Sequence, residues 1–314
     1  MSLRAETFAF VAELVARRSA IQLAPGKEYL VESRLLPLAR EAGTDVDTFV
    51  DALRAHPGSP LVTAVVEAMT TNETSWFRDG APFQVLRRVE LPRLVTARAG
   101  TGCLRVWSAA CSTGQEPYSL AMCLSDDLPT SMSAQIIATD LSEKVLERAR
   151  AGRYSQLEVN RGMPAQMLVR HLRRAGTEWE VDEPLRRMVT FRAHNLLDLP
   201  PAGPFDVVFL RNVLIYFDAA TKRGILDRVL RVLRPDGVLV LGAAETTLGI
   251  HEGWERVTID RTSIYRPLRT SALPSQHDPL AAAARPVPAS ACVPRPTTSF
   301  AAATRPTAHG GAVR

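Results

Sequence analysis

Cysteine is scarce in this chain: four residues in 314, at Cys103, Cys111, Cys123 and Cys292, with no CxxC pair. That spacing argues against a zinc site and a disulfide framework, so the expectation is a reduced, cytoplasmic protein. Long apolar runs are missing as well; none reaches the roughly 20 residues needed to cross a bilayer. The start, MSLRAETFAF, lacks the apolar core and cleavage site of a signal peptide. Charge of one sign is weak. The net value is +5, spread over scattered arginines, which fits an acidic partner and gives little reason to expect nucleic acid. No G-x-G-x-x-G follows the first strand, which argues against a nicotinamide dinucleotide. No metal-ligand cluster or histidine constellation is present, so no metal is expected.

What is present is a soluble, globular composition, 46% hydrophobic. Up to about residue 99 the pattern is all-helical. Phe8, Val11 and Val15 share one face of a first helix. A second helix, Gly26 to Ala42, is kinked or interrupted by Pro37. Thr44 and Asp47 form a capping-box-like pair, and Ser59-Pro60 opens a helix over Leu61 to Met69. A polar segment, TTNETSWFRD, precedes a helix from Ala81 to Arg98. From Cys103 strands and helices alternate, which implies a parallel sheet. Strands are expected at Leu104–Trp107, Gln135–Thr139, Phe205–Leu210 and Val238–Leu241, with Arg234 to Gly237 stopping the helix before the last. Trp254 to Tyr265 alternates as a closing hairpin. The alternation breaks over about 155–190, read as an inserted subdomain. Residues 268–314 are rich in Ala, Pro, Thr and Ser and are expected to be disordered.

The most telling stretch is LRVWSAACSTGQEPYSLAM. An apolar strand turns through small residues into a helix start, as in a nucleotide-binding fold. Such a helix N-terminus usually meets phosphate. Here it carries Glu116, which repels pyrophosphate and suits a cationic amine, so a nucleoside bearing an amino acid is favoured. Asp140, ending the second strand, either accepts from ribose hydroxyls or caps the helix at Ser142; beside the Glu116 turn the ligand role is favoured. Asn195 and Leu196 follow a strand-like segment at the sheet edge, where amide groups can recognise adenine, though taken alone Asn195 is an ordinary loop residue. FLRNVLIYFD places Arg211, Asn212 and Tyr216 just after a buried strand; Tyr216 is either a site residue or a core aromatic with a polar handle. Asn72, Thr74 and Arg78 belong either to a lid over the site or to a surface loop.

Together TNETSWFRD, RVWSAACSTGQEPYSLAM, ATDLSEKVLERARAGRY, FDVVFLRNVLIYFD and LRPDGVLVLGAAE resemble, in order, the CheR family of S-adenosylmethionine-dependent protein-glutamate O-methyltransferases that act on chemotaxis receptors. The resemblance spans about residues 5–267. It implies an α/β fold: a Rossmann-like methyltransferase domain (100–267), a helical N-terminal domain (1–99), and a small inserted β-subdomain, with S-adenosylmethionine between the domains. It places Asn72, Thr74 and Arg78 at the cleft, Glu116 on the methionyl amino group, and Asp140 on the ribose. Asn195, Leu196, Arg211 and Asn212 would border the adenine. Arg78 and Tyr216 would lie beside the transferred methyl. The sequence departs from the family at Gln115, where GEEPYS is common, and at Cys111, where a small residue is common.

The implied reaction is in-line displacement by a glutamate carboxylate, which is ionised at neutral pH and needs no strong base. Arg78 would orient that carboxylate. The partner implied is the acidic helical bundle of a chemoreceptor's cytoplasmic domain, docked on the N-terminal domain at Lys27 and Arg34. Some family members bind a receptor's C-terminal pentapeptide on the subdomain edge. The corresponding RRAGTEWEV is short, so no tether is expected here. Two alternatives remain: the same chemistry on a receptor outside chemotaxis, or a non-catalytic protein that binds the cofactor.

Overall fold

The computed structural model describes residues 3–268; the stretch expected to be disordered lies almost wholly outside them. Four helices come first: α1 Ala5–Ser19, α2 Glu28–Glu41, α3 Val46–Ala55 and α4 Leu61–Ala68. They bury a core of their own around Val11, Val15, Val31, Leu35, Phe49 and Val65. Of the two outcomes open at Pro37, interruption does not occur: α2 is one helix with Pro37 inside it. One local expectation is corrected. Asp45, rather than Thr44, caps α3, accepting from Thr48 N at 2.8 Å. Asp47 instead accepts from the Thr7 hydroxyl, which ties α3 to α1.

The helix expected over residues 81–98 is α5 Ala81–Val85, a π-helical turn at Leu86–Glu90, and α6 Leu91–Ala97. Pro92, which lacks an N–H, falls just after the widened turn. The alternating part follows: β1 Cys103–Ala109, α7 Gln115–Asp127, β2 Ser133–Asp140, α8 Glu143–Ala151. The insertion comprises β3 Arg153–Tyr154, α9 Gln156–Asn160, α10 Ala165–His171, β4 Leu172–Ala175, β5 Glu178–Val181 and α11 Glu183–Met188. Its strands form a separate antiparallel sheet, β3-β5-β4. The chain returns through β6 Val189–Ala193, β7 Phe205–Leu210, α12 Ala219–Val232, β8 Leu233–Leu241, β9 Trp254–Ile259 and β10 Thr262–Pro267.

The main sheet runs β6-β2-β1-β7-β8-β10-β9. Its first five strands pair in parallel, and β10 runs antiparallel to β8 and β9. All six residues of β7 are buried, as a strand covered on both faces requires. Arg234 to Gly237 follow the end of α12 at Val232, as a helix stop should. They lie at the start of β8 as a bulge: Phe205 pairs with Leu233 but Val207 with Val238. Pro235 cannot donate to a ladder, so an irregular register suits it. Arg98 secures the bulge by bonding both the buried Asp206 and Asp236. Cys111 and Cys123 are free and buried.

Parallel strands present their carboxyl ends to one edge, and ligands bind there where the strand order reverses. Here the order reverses between β1 and β7, and the N-terminal helices close over that edge.

Candidate active site

A cleft with about 880 Å³ of empty, solvent-connected space lies between the helical domain and the carboxyl ends of β1, β2, β6 and β7. All ten candidate residues line it: Asn72, Thr74, Arg78, Glu116, Asp140, Asn195, Leu196, Arg211, Asn212 and Tyr216. The turn after β1 forms its floor. Ala110 and Ser112 both take positive φ (60° and 51°), a strained choice for residues with side chains. Gly114, at φ 93°, is confined: an added Cβ would lie 2.9 Å from the Tyr154 hydroxyl and from Ala149 Cβ. That turn is therefore packed from behind by the inserted subdomain, since the Tyr154 hydroxyl donates to Thr113 O at 2.7 Å.

Glu116 is held by two donors: Ser108 Oγ gives a hydrogen bond to Oε1 at 2.8 Å, and Arg211 Nη1 one to Oε2 at 3.2 Å. Burial pushes its carboxyl above the usual range, against the pull of Arg211 and Ser108. Gln115 does not line the cleft. It is buried and accepts from the Thr113 hydroxyl, so the departure from the family's first carboxylate leaves Glu116 in place.

Arg211 does more than border a ligand. Its side chain is 1% exposed, and Nη2 donates to Arg78 O at 2.9 Å and Asp79 Oδ2 at 2.6 Å. Arg211 thus joins the β7 turn, the Glu116 helix and the loop carrying Arg78. Asn195 follows β6, separated from β7 by β2 and β1, so about 14 Å of sheet divides it from Arg211. Arg211, bonded to Glu116, stands at the Glu116 end of the cleft.

At the other end Asp140 takes the local role open to it, at the start of α8, and lines the cleft. Oδ1 accepts from Ser142 N at 3.1 Å, at the start of α8, and Oδ2 from Ser112 N at 2.8 Å. Burial raises its carboxyl too, opposed by those N–H donors. The Asn195 side chain is already committed: Nδ2 donates to Arg18 O at 2.7 Å, and Oδ1 accepts from Leu197 N. Beside it lies His194, missed in the sequence. Its Nε2 faces Leu199 O at 3.0 Å, which assigns the ring proton to Nε2, and burial lowers its basicity. Its buried Nδ1 has no hydrogen-bond partner among the described residues.

The helical domain supplies the outer wall. Ser112 Oγ donates to Asn72 O at 2.8 Å. Phe77 N donates to Ser119 Oγ, Trp76 N to Arg161 O, and Trp76 stacks edge-on against Tyr154 at 4.8 Å. Arg78 Nη1 donates to Glu73 O at 2.9 Å, and Arg78 forms no ion pair among the described residues. Gln22 N donates to Tyr216 O, fixing the end of the short helix Leu214–Tyr216. Glu67, also missed, accepts from Ser142 Oγ and Glu143 N and so caps α8 across the domain boundary.

Arg34 departs from its expected place. It is half-buried and donates to Met69 O at 2.6 Å and Thr71 Oγ1 at 3.1 Å, bracing the segment that leads into Asn72. Lys27 is exposed, its ammonium 6.0 Å from the Tyr29 ring. The β4–β5 connection is tight, a two-residue turn at Gly176 and Thr177.

The donor set fits a nucleoside bearing an amino acid. It offers acidic oxygens at two stations and an arginine free of ion pairs, and its floor is built from small residues. Residues 6–70 match the family described as CheR methyltransferase, all-alpha domain, and residues 72–262 match CheR methyltransferase, SAM binding domain. Over 254 residues the chain is 44% identical to chemotaxis protein methyltransferase 1 of Pseudomonas aeruginosa, covering 78% of this chain and 92% of that protein. It is 37% identical over 245 residues to the chemotaxis protein methyltransferase of Escherichia coli, covering 76% and 83%. A probable biofilm formation methyltransferase, WspC of Pseudomonas aeruginosa, is 36% identical over 269 residues, covering 84% of this chain and 62% of that protein. The protein is thus a methyltransferase with a Rossmann-like S-adenosylmethionine-binding domain. The chain belongs to the CheR methyltransferase family. Among the described residues no helix is long and apolar enough to cross a membrane, and no cluster of metal-ligating side chains is found.

Proposed function

We propose that this enzyme methylates glutamate side chains in the cytoplasmic domain of a chemoreceptor, forming glutamate methyl esters during sensory adaptation. The observation that carries the reading is Arg78: a guanidinium at the cleft, bonded to a single backbone carbonyl and to no carboxylate. It is placed to receive a carboxylate from outside, while Glu116 and Asp140 stay on the cofactor side. The 44% and 37% identities to chemotaxis methyltransferases support the same substrate class.

In this reading S-adenosylmethionine supplies an electrophilic methyl on a sulfonium. Asp140 holds the ribose hydroxyls, Glu116 the amino group, and the Asn195–Leu196 loop borders the adenine. Asn72 and Thr74 close over the cofactor, and Asn212 lines it beside Arg211. Arg78 pairs with the incoming carboxylate by charge-assisted hydrogen bonds, and the Tyr216 hydroxyl sits beside the reacting centre. Catalysis is positioning with exclusion of water; the nucleophile is already ionised, so no side chain removes a proton. Docking falls to the exposed face of the N-terminal domain, represented by Lys27. The compact β4–β5 turn supports capture without a pentapeptide tether.

The deciding assay supplies methyl-labelled S-adenosylmethionine and a purified receptor cytoplasmic domain. Base-labile label on glutamate is the expected result; stable label, or none, overturns the reading. Supplying in parallel a receptor from a surface-attachment pathway tests the alternative that the similarity to WspC raises.

A further inference from the structure

Glu245 lies behind the cleft, at the turn that follows β8. Its carboxylate accepts four backbone N–H groups. Asn212 N reaches Oε2 at 2.8 Å and Gly242 N the same oxygen at 2.7 Å; Val213 N and Leu214 N reach Oε1 at 2.9 and 2.7 Å. The residue is buried, 8% exposed. Three of these donors are consecutive residues of the turn that carries Arg211, Asn212 and Tyr216 to the cleft.

The geometry explains why that turn needs a carboxylate. After β7 the chain reverses with Asn212 at φ 58°, so successive N–H groups converge on one point. No strand or helix partner takes them, and unpaired buried N–H groups are costly. An ionised carboxylate offers about four acceptor sites and no donor, which matches the four N–H groups. A glutamine would aim its own N–H₂ at two of them. Gly242 belongs to the same arrangement: an added Cβ would come within 2.7 Å of Glu245 Oε2 and 2.9 Å of Asn212 N. The Tyr265 hydroxyl, 3.4 Å from Glu245 O, backs the segment from the sheet.

We propose that Glu245 is a positioning residue for methyl transfer, setting the turn that places Arg211, Asn212 and Tyr216. It does not line the cleft and touches no reacting atom. Its effect on transfer rests on the function proposed above; its effect on cofactor binding does not.

The test uses the full chain with Glu245→Gln, Glu245→Asp and, as a control, Glu252→Gln, an exposed acid of the same region. Three quantities are read. These are hydrogen exchange at the amides of residues 212–214, affinity for S-adenosylhomocysteine, and kcat and KM for receptor methylation. With Glu245→Gln, exchange at those amides accelerates about tenfold or more, and affinity and kcat each fall about tenfold. KM for the receptor stays put, Glu245→Asp recovers part of each loss, and the control changes nothing. If Glu245→Gln does not fold, Gly242→Ala presses on the same carboxylate and must reproduce the pattern. Unchanged exchange at 212–214, or losses that vanish when rates are counted per ligand-binding molecule, overturns the proposal. Exchange and affinity need no receptor, so failure of the glutamate reading is seen separately, as a wild-type enzyme that binds S-adenosylhomocysteine and methylates nothing.

Discussion

The two ends of the cleft are built from different materials. At the Glu116 end, long charged side chains join distant segments: Glu116 to Arg211, Arg211 to Asp79, with Arg78 beside them. At the Asp140 end, short side chains meet backbone groups: Asp140 on Ser112 N and Ser142 N, Asn195 on Arg18 O. The first arrangement stores its energy in paired buried charge, where losing one partner leaves the other stranded. The second fixes shape through backbone bonds. In the proposed function the Glu116 end serves the reacting centre and the cofactor's amino group, and the Asp140 end the rest of the cofactor.

The sharpest break comes from Arg211→Ala. It strands a buried Glu116 and releases Asp79, so global stability falls by about 3–5 kcal/mol, read by denaturant unfolding. A loss below about 1 kcal/mol would mean that the network is slack and that the contrast between the ends is false. Next is Asp140→Ala. It removes both oxygens proposed to accept from the ribose, so S-adenosylhomocysteine affinity falls about 100-fold by calorimetry, with stability hurt less than by Arg211→Ala.

The ends also respond to pH. Burial raises both Glu116 and Asp140, so each protonates at higher pH than an exposed carboxylate. A raised carboxylate lowers stability at neutral pH, and that loss is relieved as pH falls through its folded pKa. In the proposed roles of Glu116 and Asp140, ligand affinity moves the opposite way, because the amino group and ribose would need the charged acceptors. Calorimetry of S-adenosylhomocysteine down a pH series should show affinity falling while these two groups favour folding; flat affinity would remove the acids from the contact.

The smallest effect belongs to the docking face. Lys27→Glu raises the receptor KM a few-fold and flattens its salt dependence, with cofactor affinity unchanged. Arg34→Glu differs: it breaks the bonds to Met69 O and Thr71, so cofactor affinity falls as well. Identical behaviour of the two variants would show that bracing the 69–71 segment does nothing for the cleft.

Much of this was legible along the chain because it is local. The strand–turn–helix at Leu104 to Met122, the acid ending β2, and the polar loop before Ala81 are contiguous patterns, and the lining residues fell out of them. What stayed hidden depends on contacts between distant segments. The roles of Glu67 and Glu245 appear only when α8 and the β7 turn bring N–H groups to them. Arg34 shares a helical face with Lys27, yet only the packing of α2 against the Met69–Thr71 segment shows that its guanidinium is occupied. Asp79 sat unmarked beside Arg78 because its partner, Arg211, is 132 residues away. Arg234 to Gly237 read as a helix stop but not as a bulge, because Pro and Gly mark turns and irregular strands alike.

The division of labour between the ends is tested most directly by one paired measurement. Arg78→Ala, with Tyr216→Phe as its companion, is compared with Asp140→Ala for S-adenosylhomocysteine affinity and for methyl transfer at saturating S-adenosylmethionine. The account predicts that Arg78→Ala lowers transfer about 100-fold while leaving affinity within about threefold, that Tyr216→Phe lowers transfer about tenfold in the same manner, and that Asp140→Ala loses affinity first. Equal loss of affinity in all three variants, or full transfer in Arg78→Ala, would contradict it.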